Sequence, residues 1–229
     1  MDTTTQPLAL VTGGTDGLGR ELVVALVSRG WQVVTDGRSE HKIKEADLPP
    51  PVTVVQGDVT DPAHREELTG IVRVLGRLDL LVHNASTLGP LPMRALAETS
   101  DGDLGQVLAT NVDAPLALTR RLLPWLQRAD GVLLSLTSDA AVEHYETWGL
   151  YGASKAALEH VTLTLAAETG ITGWAVDPGD MRTRMHQDAF AGEDISDRPL
   201  PGTVVPHLLA LLDQRPPSGR VRAREVVAR

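Results

Sequence analysis

Leu8-Ala9-Leu10-Val11-Thr12-Gly13-Gly14-Thr15-Asp16-Gly17-Leu18-Gly19 is the stretch whose reading decides the fold. Leu8–Val11 reads as a short apolar strand, and a helical pattern follows over about residues 18–29. The glycines between them permit a tight turn and let backbone N–H groups approach a pyrophosphate, which the N-terminus of the following helix stabilises. A glycine-rich turn alone is weak evidence. A strand before it and a helix after it supply the context that points to a nucleotide.

The alternation continues along the chain. Further short strands are read at Val33-Val34, residues 52–55, 78–82, 132–136 and 171–176, and around Val221. Helices are read from Asp61-Pro62, an N-cap followed by Pro at the first position, and over residues 104–128, 151–169 and 204–212. Repeated strand–helix units predict an α/β chain: one doubly wound domain over residues 1–229, with a parallel sheet of about seven strands and helices on both faces. Ligands of such sheets bind beyond the carboxyl ends of the strands. Two stretches look irregular. Residues 39–51 end in three prolines and leave room for at most two helical turns; residues 185–201 are polar, acidic and proline-bracketed, and read as a mobile loop over the site or as disorder.

Bulk composition removes several function classes. Aromatics are only 3%, so the core must be built from Leu, Val and Ala, which suits helices on a parallel sheet. A net charge of −9 argues against nucleic acid and anionic membranes as partners. No cysteine is available for disulfides, thiolate metal sites or nucleophiles. The seven histidines show no ligand spacing, and no metal is expected. Residues 1–7 lack a basic segment leading into an apolar run, and no stretch reaches spanning length; the expected location is cytoplasmic.

Tyr151-Gly152-Ala153-Ser154-Lys155 carries the candidate chemistry. Positions four apart share a helix face, roughly 6 Å apart along its axis. The chain has two tyrosines and three lysines among many arginines, so a Lys one turn after a Tyr stands out. A free phenol has a pKa of about 10 and is a poor acid–base group near neutrality; a neighbouring cation is expected to lower it. The end of the second strand, Thr35-Asp36-Gly37-Arg38-Ser39, bears on which nicotinamide dinucleotide the turn would take. Arg38 with Ser39 suits the 2′-phosphate of NADP, whereas Asp36 suits the free ribose of NAD. NADP (NADPH) is favoured, and NAD stays open.

With Tyr151 and Lys155, these residues make the chain resemble the short-chain dehydrogenase/reductase family over nearly its whole length. Gly13-x-x-x-Gly17-x-Gly19 has the family's spacing, with Thr15, Asp16 and Leu18 inside the loop. Asp58-Val59 resembles the pair that holds the adenine ring. Asn84-Ala85 matches the start of an Asn-Ala-Gly motif in which Ser86 replaces Gly. Asn111 and Ser138 match the structural, proton-relay Asn and the catalytic Ser. Pro178-Gly179-Asp180-Met181-Arg182-Thr183 resembles the segment whose Thr meets the nicotinamide. Asp16 stands where one NADP-using branch has a basic residue. The resemblance implies a Rossmann-type domain, cofactor contacts from these segments including Tyr151 and Lys155, and a small-molecule carbonyl or alcohol substrate. It implies that Tyr151 is the general acid/base, Lys155 lowers its pKa, Ser138 holds the substrate oxygen and Asn111 holds a relay water. Tyr145, Trp148 and His144 either line the substrate pocket with Met185 or only pack their loop. A homodimer or homotetramer is also implied, pairing through the long helix and the Tyr–Lys helix. A cofactor-sensing regulator and a non-redox enzyme on the same scaffold are the competing readings, since fold does not fix chemistry.

Overall fold

The computed structural model describes residues 6–228; residues 1–5, read above for a leader, lie outside them. Seven parallel strands form one sheet in the order β3-β2-β1-β4-β5-β6-β7. They are β1 (Leu8–Val11), β2 (Gln32–Gly37), β3 (Val52–Gln56), β4 (Leu80–His83), β5 (Val132–Leu136), β6 (Thr172–Asp177) and β7 (Gly219–Arg222). The helices are α1 (Gly17–Ser28), α2 (Glu40–Glu45), α3 (Pro62–Leu75), α4 (Asp103–Leu108), α5 (Ala114–Arg128), α6 (Gly149–Thr169), α7 (Arg184–Ala189) and α8 (Val205–Gln214). The strand order reverses between β1 and β4, and the crevice beyond their carboxyl ends is where such folds bind ligands.

Alternate side chains of each strand feed two cores, as the two-residue period of a strand requires. Ala9, Val11, Val82 and Leu134 pack with α1 and α8 on one face; Leu8, Leu10, Leu81 and Leu133 pack with α3 and α5 on the other. Leu8 and Leu10 have no exposed surface, and each such side chain contributes about 1.5–3 kcal/mol of burial. Leu and Val dominate both cores, with Ala beside them on the α1 and α8 face, and Trp174 is the one fully buried large aromatic among the described residues. At α3 the Asp61 carboxylate caps Ala63 N, Pro62 occupies the first turn, and Gly76 ends the helix at φ 78°.

Two segments differ from the sequence expectation. Residues 104–128 are not a uniform helix, because α4 and α5 are joined by a π-helical turn, Ala109–Asp113, wound around the buried Asn111. Residues 185–201 are only partly irregular: α7 occupies the start, capped by Thr183 Oγ1, and the turns that follow it bury Ile195. The short polar period of α7 concealed it.

At the end of β2, Asp36 is almost wholly buried. Its Oδ1 accepts from Gly13 N at 2.6 Å, and Oδ2 lies 2.9 Å from Nε2 of the buried His64 on α3. The pair thus ties the glycine turn, β2 and α3 together. His64 is held above its ordinary pKa of 6.5, chiefly by the hydrogen bond to Asp36, while burial acts the other way. A raised folded-state value stabilises fully below about pH 6.5, and that contribution is lost as pH rises through the raised value. A His64→Gln variant should therefore melt below wild type at about pH 6, the gap narrowing above neutrality. Thermal melts across that range would refute the imidazolium's role if the gap stayed constant.

Candidate active site

A cleft of about 520 Å³ opens at the carboxyl ends of the strands, on both sides of the β1/β4 reversal. Its walls collect most of the residues singled out from sequence: Gly13, Thr15, Asp16, Gly17 and Leu18 from the turn, Arg38 and Ser39 beyond β2, Asp58 and Val59 beyond β3. Asn84, Ala85 and Ser86 follow β4, Tyr151 and Lys155 come from α6, and Pro178, Met181 and Thr183 follow β6. Gly19, Asn111, Ser138 and Gly179 do not line it.

Gly19, Asn111 and Gly179 act from behind the wall, while Ser138 comes to the cleft beside the Tyr151 hydroxyl. A Cβ on Gly19 would lie 2.3 Å from Asn84 Nδ2 and 2.7 Å from Gly13 O, so this glycine allows α1 to approach the turn. Asn84 in turn donates through Nδ2 to Thr12 O and Gly13 O, at 2.8 and 2.9 Å. Its amide braces the turn, and only its remaining surface meets the cleft. Gly179, at φ 75°, donates its N–H to Asp177 Oδ1.

Asn111 is fully engaged. Its Nδ2 donates to Thr87 O and Ser154 Oγ, and its Oδ1 accepts from Ser86 Oγ and Thr87 N. All four side-chain positions are taken, so the expected relay water cannot be held by this amide. Ser154 was missed from sequence, although it sits inside the Tyr–Lys stretch. It also donates to Tyr151 O at 2.7 Å and locks α6 onto the π-helical turn.

Tyr151 and Lys155 are both buried, with Lys155 Nζ 5.4 Å from the centre of the tyrosine ring. Trp148 packs edge-on against that ring at 5.7 Å. The hydroxyls of Ser138 and Ser86 lie near the Tyr151 hydroxyl, close enough to favour its ionised form. Ser86, the departure from the glycine motif, thus stands near the Tyr151 hydroxyl while donating to Asn111 Oδ1. Ser138 also caps the turn after β5, accepting from Ala140 N and donating to Asp139.

The electrostatics differ from the sequence expectation. Burial, followed by the Asp139 and Asp177 carboxylates, holds the Tyr151 phenol well above its ordinary range; the Ser138 and Ser86 hydroxyls pull it down. Lys155 is itself pushed down to about 7 by burial, which makes it a weak source of positive charge near neutrality. Its Nζ donates to Leu136 O at 2.8 Å. His83, buried against Thr119, is pushed down to about 3 by burial and Lys155.

Around the far end of the cleft, Arg38 is exposed and pairs with Asp58 at 3.5 Å. Lys42 lines the same end and pairs with Asp16 at 2.5 Å, while Ser39 caps α2 by accepting from Lys42 N. Lys42 is a second cation that sequence reading missed; its scarcity among arginines was the available signal. Asp36 lines the cleft, but its carboxylate is almost wholly buried and already bonded by Gly13 N and His64, which leaves little of it for a ribose. Of the proposed pocket residues, Met185 lines the cleft and Trp148 packs beside it, whereas Tyr145 is exposed and donates to Asp139. His144 is exposed as well. Among the described residues no group of three His, Cys, Asp or Glu could hold a metal, and no helix is long and apolar enough to cross a membrane.

Comparison with known proteins now bears on these features. The chain is 31% identical over 218 residues to the uncharacterized oxidoreductase YciK of Escherichia coli, covering 90% of this chain and 85% of that protein. It is 30% identical to an uncharacterized oxidoreductase of Thermotoga maritima, covering 96% and 86%. A short chain dehydrogenase of Shigella flexneri crystallised with NADP superposes with a TM-score of 0.87 at 30% identity, covering 95% and 97%. One from Escherichia coli CFT073, complexed with NADPH, gives 0.86 at 30% identity over 95% and 96%. The family model for short chain dehydrogenase matches residues 7–194, a span that takes in every residue lining the cleft, and the chain belongs to that family.

Proposed function

We propose that this oxidoreductase interconverts a carbonyl and a secondary alcohol with NADP(H), using Tyr151 as general acid/base. The observation that carries the reading is the buried Tyr151 on the cleft wall, with the Ser138 hydroxyl near its own and Lys155 beside its ring. A sensor has no need of such an acid.

The residues present fit the dinucleotide. At Gly13, φ is 65° and an added Cβ would lie 3.0 Å from Ala85 Cα, so the turn keeps its backbone free of side chains beside the α1 N-terminus. Arg38, Lys42 and Ser39 gather cations and a hydroxyl at one end, which supports NADP over NAD, as do the NADP- and NADPH-bound relatives. Asp58 and Val59 would flank the adenine, and Thr183 the nicotinamide. Hydride transfer is the chemistry the nicotinamide supplies when bound.

The chain's own residues do the rest. Tyr151 donates its proton to the carbonyl oxygen in reduction and takes it back in oxidation, while Ser138 fixes that oxygen by a hydrogen bond. Lys155, with a pKa near 7, gains or loses a proton readily at neutral pH and keeps the end of β5 in place through Leu136 O. Leu88, Met185 and Trp148 form an apolar cluster with Tyr151, suited to an apolar group on the substrate. On the outside of α6, Ala153, Ala156 and Ala167 are exposed and support assembly as a homodimer or homotetramer, which sedimentation velocity would test.

Two measurements test the reading. Absorbance of reduced nicotinamide, followed across ketones and aldehydes, should fall with NADPH, and Tyr151→Phe should lower kcat by roughly 10²–10⁴ without weakening cofactor binding. Retained turnover in that variant would remove Tyr151 from the acid–base role. Arg38→Gln and Lys42→Gln should each reduce the ratio of NADH to NADPH dissociation constants by roughly tenfold or more, read by fluorescence. An unchanged ratio in both would count against the phosphate assignment.

A further inference from the structure

Arg220 lies on the edge strand β7, beyond the residue 194 at which the family match ends, and it does not line the cleft. Its guanidinium nevertheless reaches three elements that build the site. Nε donates to Glu159 Oε1 on α6 at 3.0 Å, and Nη2 donates to Ser138 O at 3.2 Å and to Asp177 Oδ2 at 3.3 Å. All three partners are half-buried or better, where charge-assisted bonds are screened less than at the surface.

The bonds complete a ladder along the end of β5. Leu136 O is held by Lys155 Nζ, Thr137 Oγ1 donates to Glu159 Oε1 at 2.7 Å, and Ser138 O is held by Arg220. Ser138 O also accepts from Ala141 N, so Arg220 fixes the turn that carries the serine hydroxyl. On the other wall, Asp177 accepts from Arg220 with one oxygen and from Gly179 N with the other, which sets the turn leading to Met181 and Thr183. We propose that Arg220 is a positioning residue for this site: one planar fork holds the backbone of Ser138 and the Asp177–Gly179 turn at a fixed separation, and balances the carboxylates of Asp177 and Glu159 behind Tyr151. A lysine has one nitrogen and cannot bridge the same three acceptors with this geometry.

Charge follows from position. Tyr151 faces Asp139 from the turn after β5, Asp177 from β6 and Lys155 from its own helix, and His83 lies near Lys155. Both carboxylates already favour the neutral phenol, and Arg220 is the cation hydrogen-bonded to Asp177. Removing it leaves Asp177 unbalanced and favours the neutral phenol further.

The inference rests on the reading of Ser138 and Tyr151 as the substrate-handling pair, and the test separates the two. Arg220→Gln, Arg220→Lys and wild type are compared by amide hydrogen exchange and by steady-state kinetics with NADPH. In Arg220→Gln, the amides of Ala140, Ala141 and Gly179 should exchange faster while β1 to β4 stay unchanged. Its kcat should fall roughly tenfold or more with the cofactor dissociation constant unchanged, and the limb of the pH profile reporting Tyr151 should move to higher pH. Arg220→Lys should restore that limb but not kcat. Unchanged exchange at those three amides in either folded variant overturns the proposal, whatever the activity. Wild type that turns over no carbonyl defeats the oxidoreductase reading alone, because the exchange measurement still decides the role of Arg220.

Discussion

A parallel sheet ends in backbone groups that its ladders leave unpaired, and this chain meets that constraint with side chains at the ends of β1, β2, β5 and β6 around its cleft. Lys155 takes Leu136 O at the end of β5, and Asn84 takes Thr12 O and Gly13 O beyond β1. Asp36 at the end of β2 takes Gly13 N, and Asp177 at the end of β6 takes Gly179 N. An unpaired buried polar group costs about 1–3 kcal/mol, so these contacts are conditions of folding before they are conditions of function. The residues that close the strand ends are consequently the ones that shape the site.

The burial this demands explains the unusual state of the Tyr–Lys pair. Placing Lys155 deep enough to reach a strand carbonyl lowers its affinity for a proton, while burial of Tyr151, with the Asp139 and Asp177 carboxylates, raises the phenol's. The two groups start from nearly equal free values and are displaced apart, the phenol upward and the ammonium down to about 7. At neutral pH the phenol therefore keeps its proton while Lys155 exchanges one readily, so burial gives the two neighbours opposite roles.

Much of the architecture was legible because it is local. Apolar runs of four to six residues, the Asp61-Pro62 cap and the glycine turn each declare themselves within a dozen positions, and the observed strands fall within two or three residues of the expected ones, except where β2 runs on to Gly37. Tyr151 and Lys155 were visible for the same reason, being one helical turn apart. What escaped depends on contacts between distant residues. Nothing near Asp36 announces His64, 28 residues on, yet that partner decides whether the carboxylate is open to a ribose. Asn111 was placed correctly in its helix, but the partners that fill its amide come from Ser86, Thr87 and Ser154. Arg220 meets Ser138 across 82 residues and has no local pattern at all.

The order of the strands leaves β3 and β7 as the two margins of the sheet. An open margin is a template on which another chain can add a strand, and proteins that stay dispersed must blunt it. Here three prolines, Pro49, Pro50 and Pro51, run into β3, and Pro216 and Pro217 come just before β7. Prolines lack the N–H that an incoming strand would need. Along β7 itself, Arg220 and Arg222 place charge on the margin. Arg220 thus meets two demands at once: turned inward it is held by carboxylates of the site, and its strand is kept from recruiting a neighbour that would pull those bonds apart.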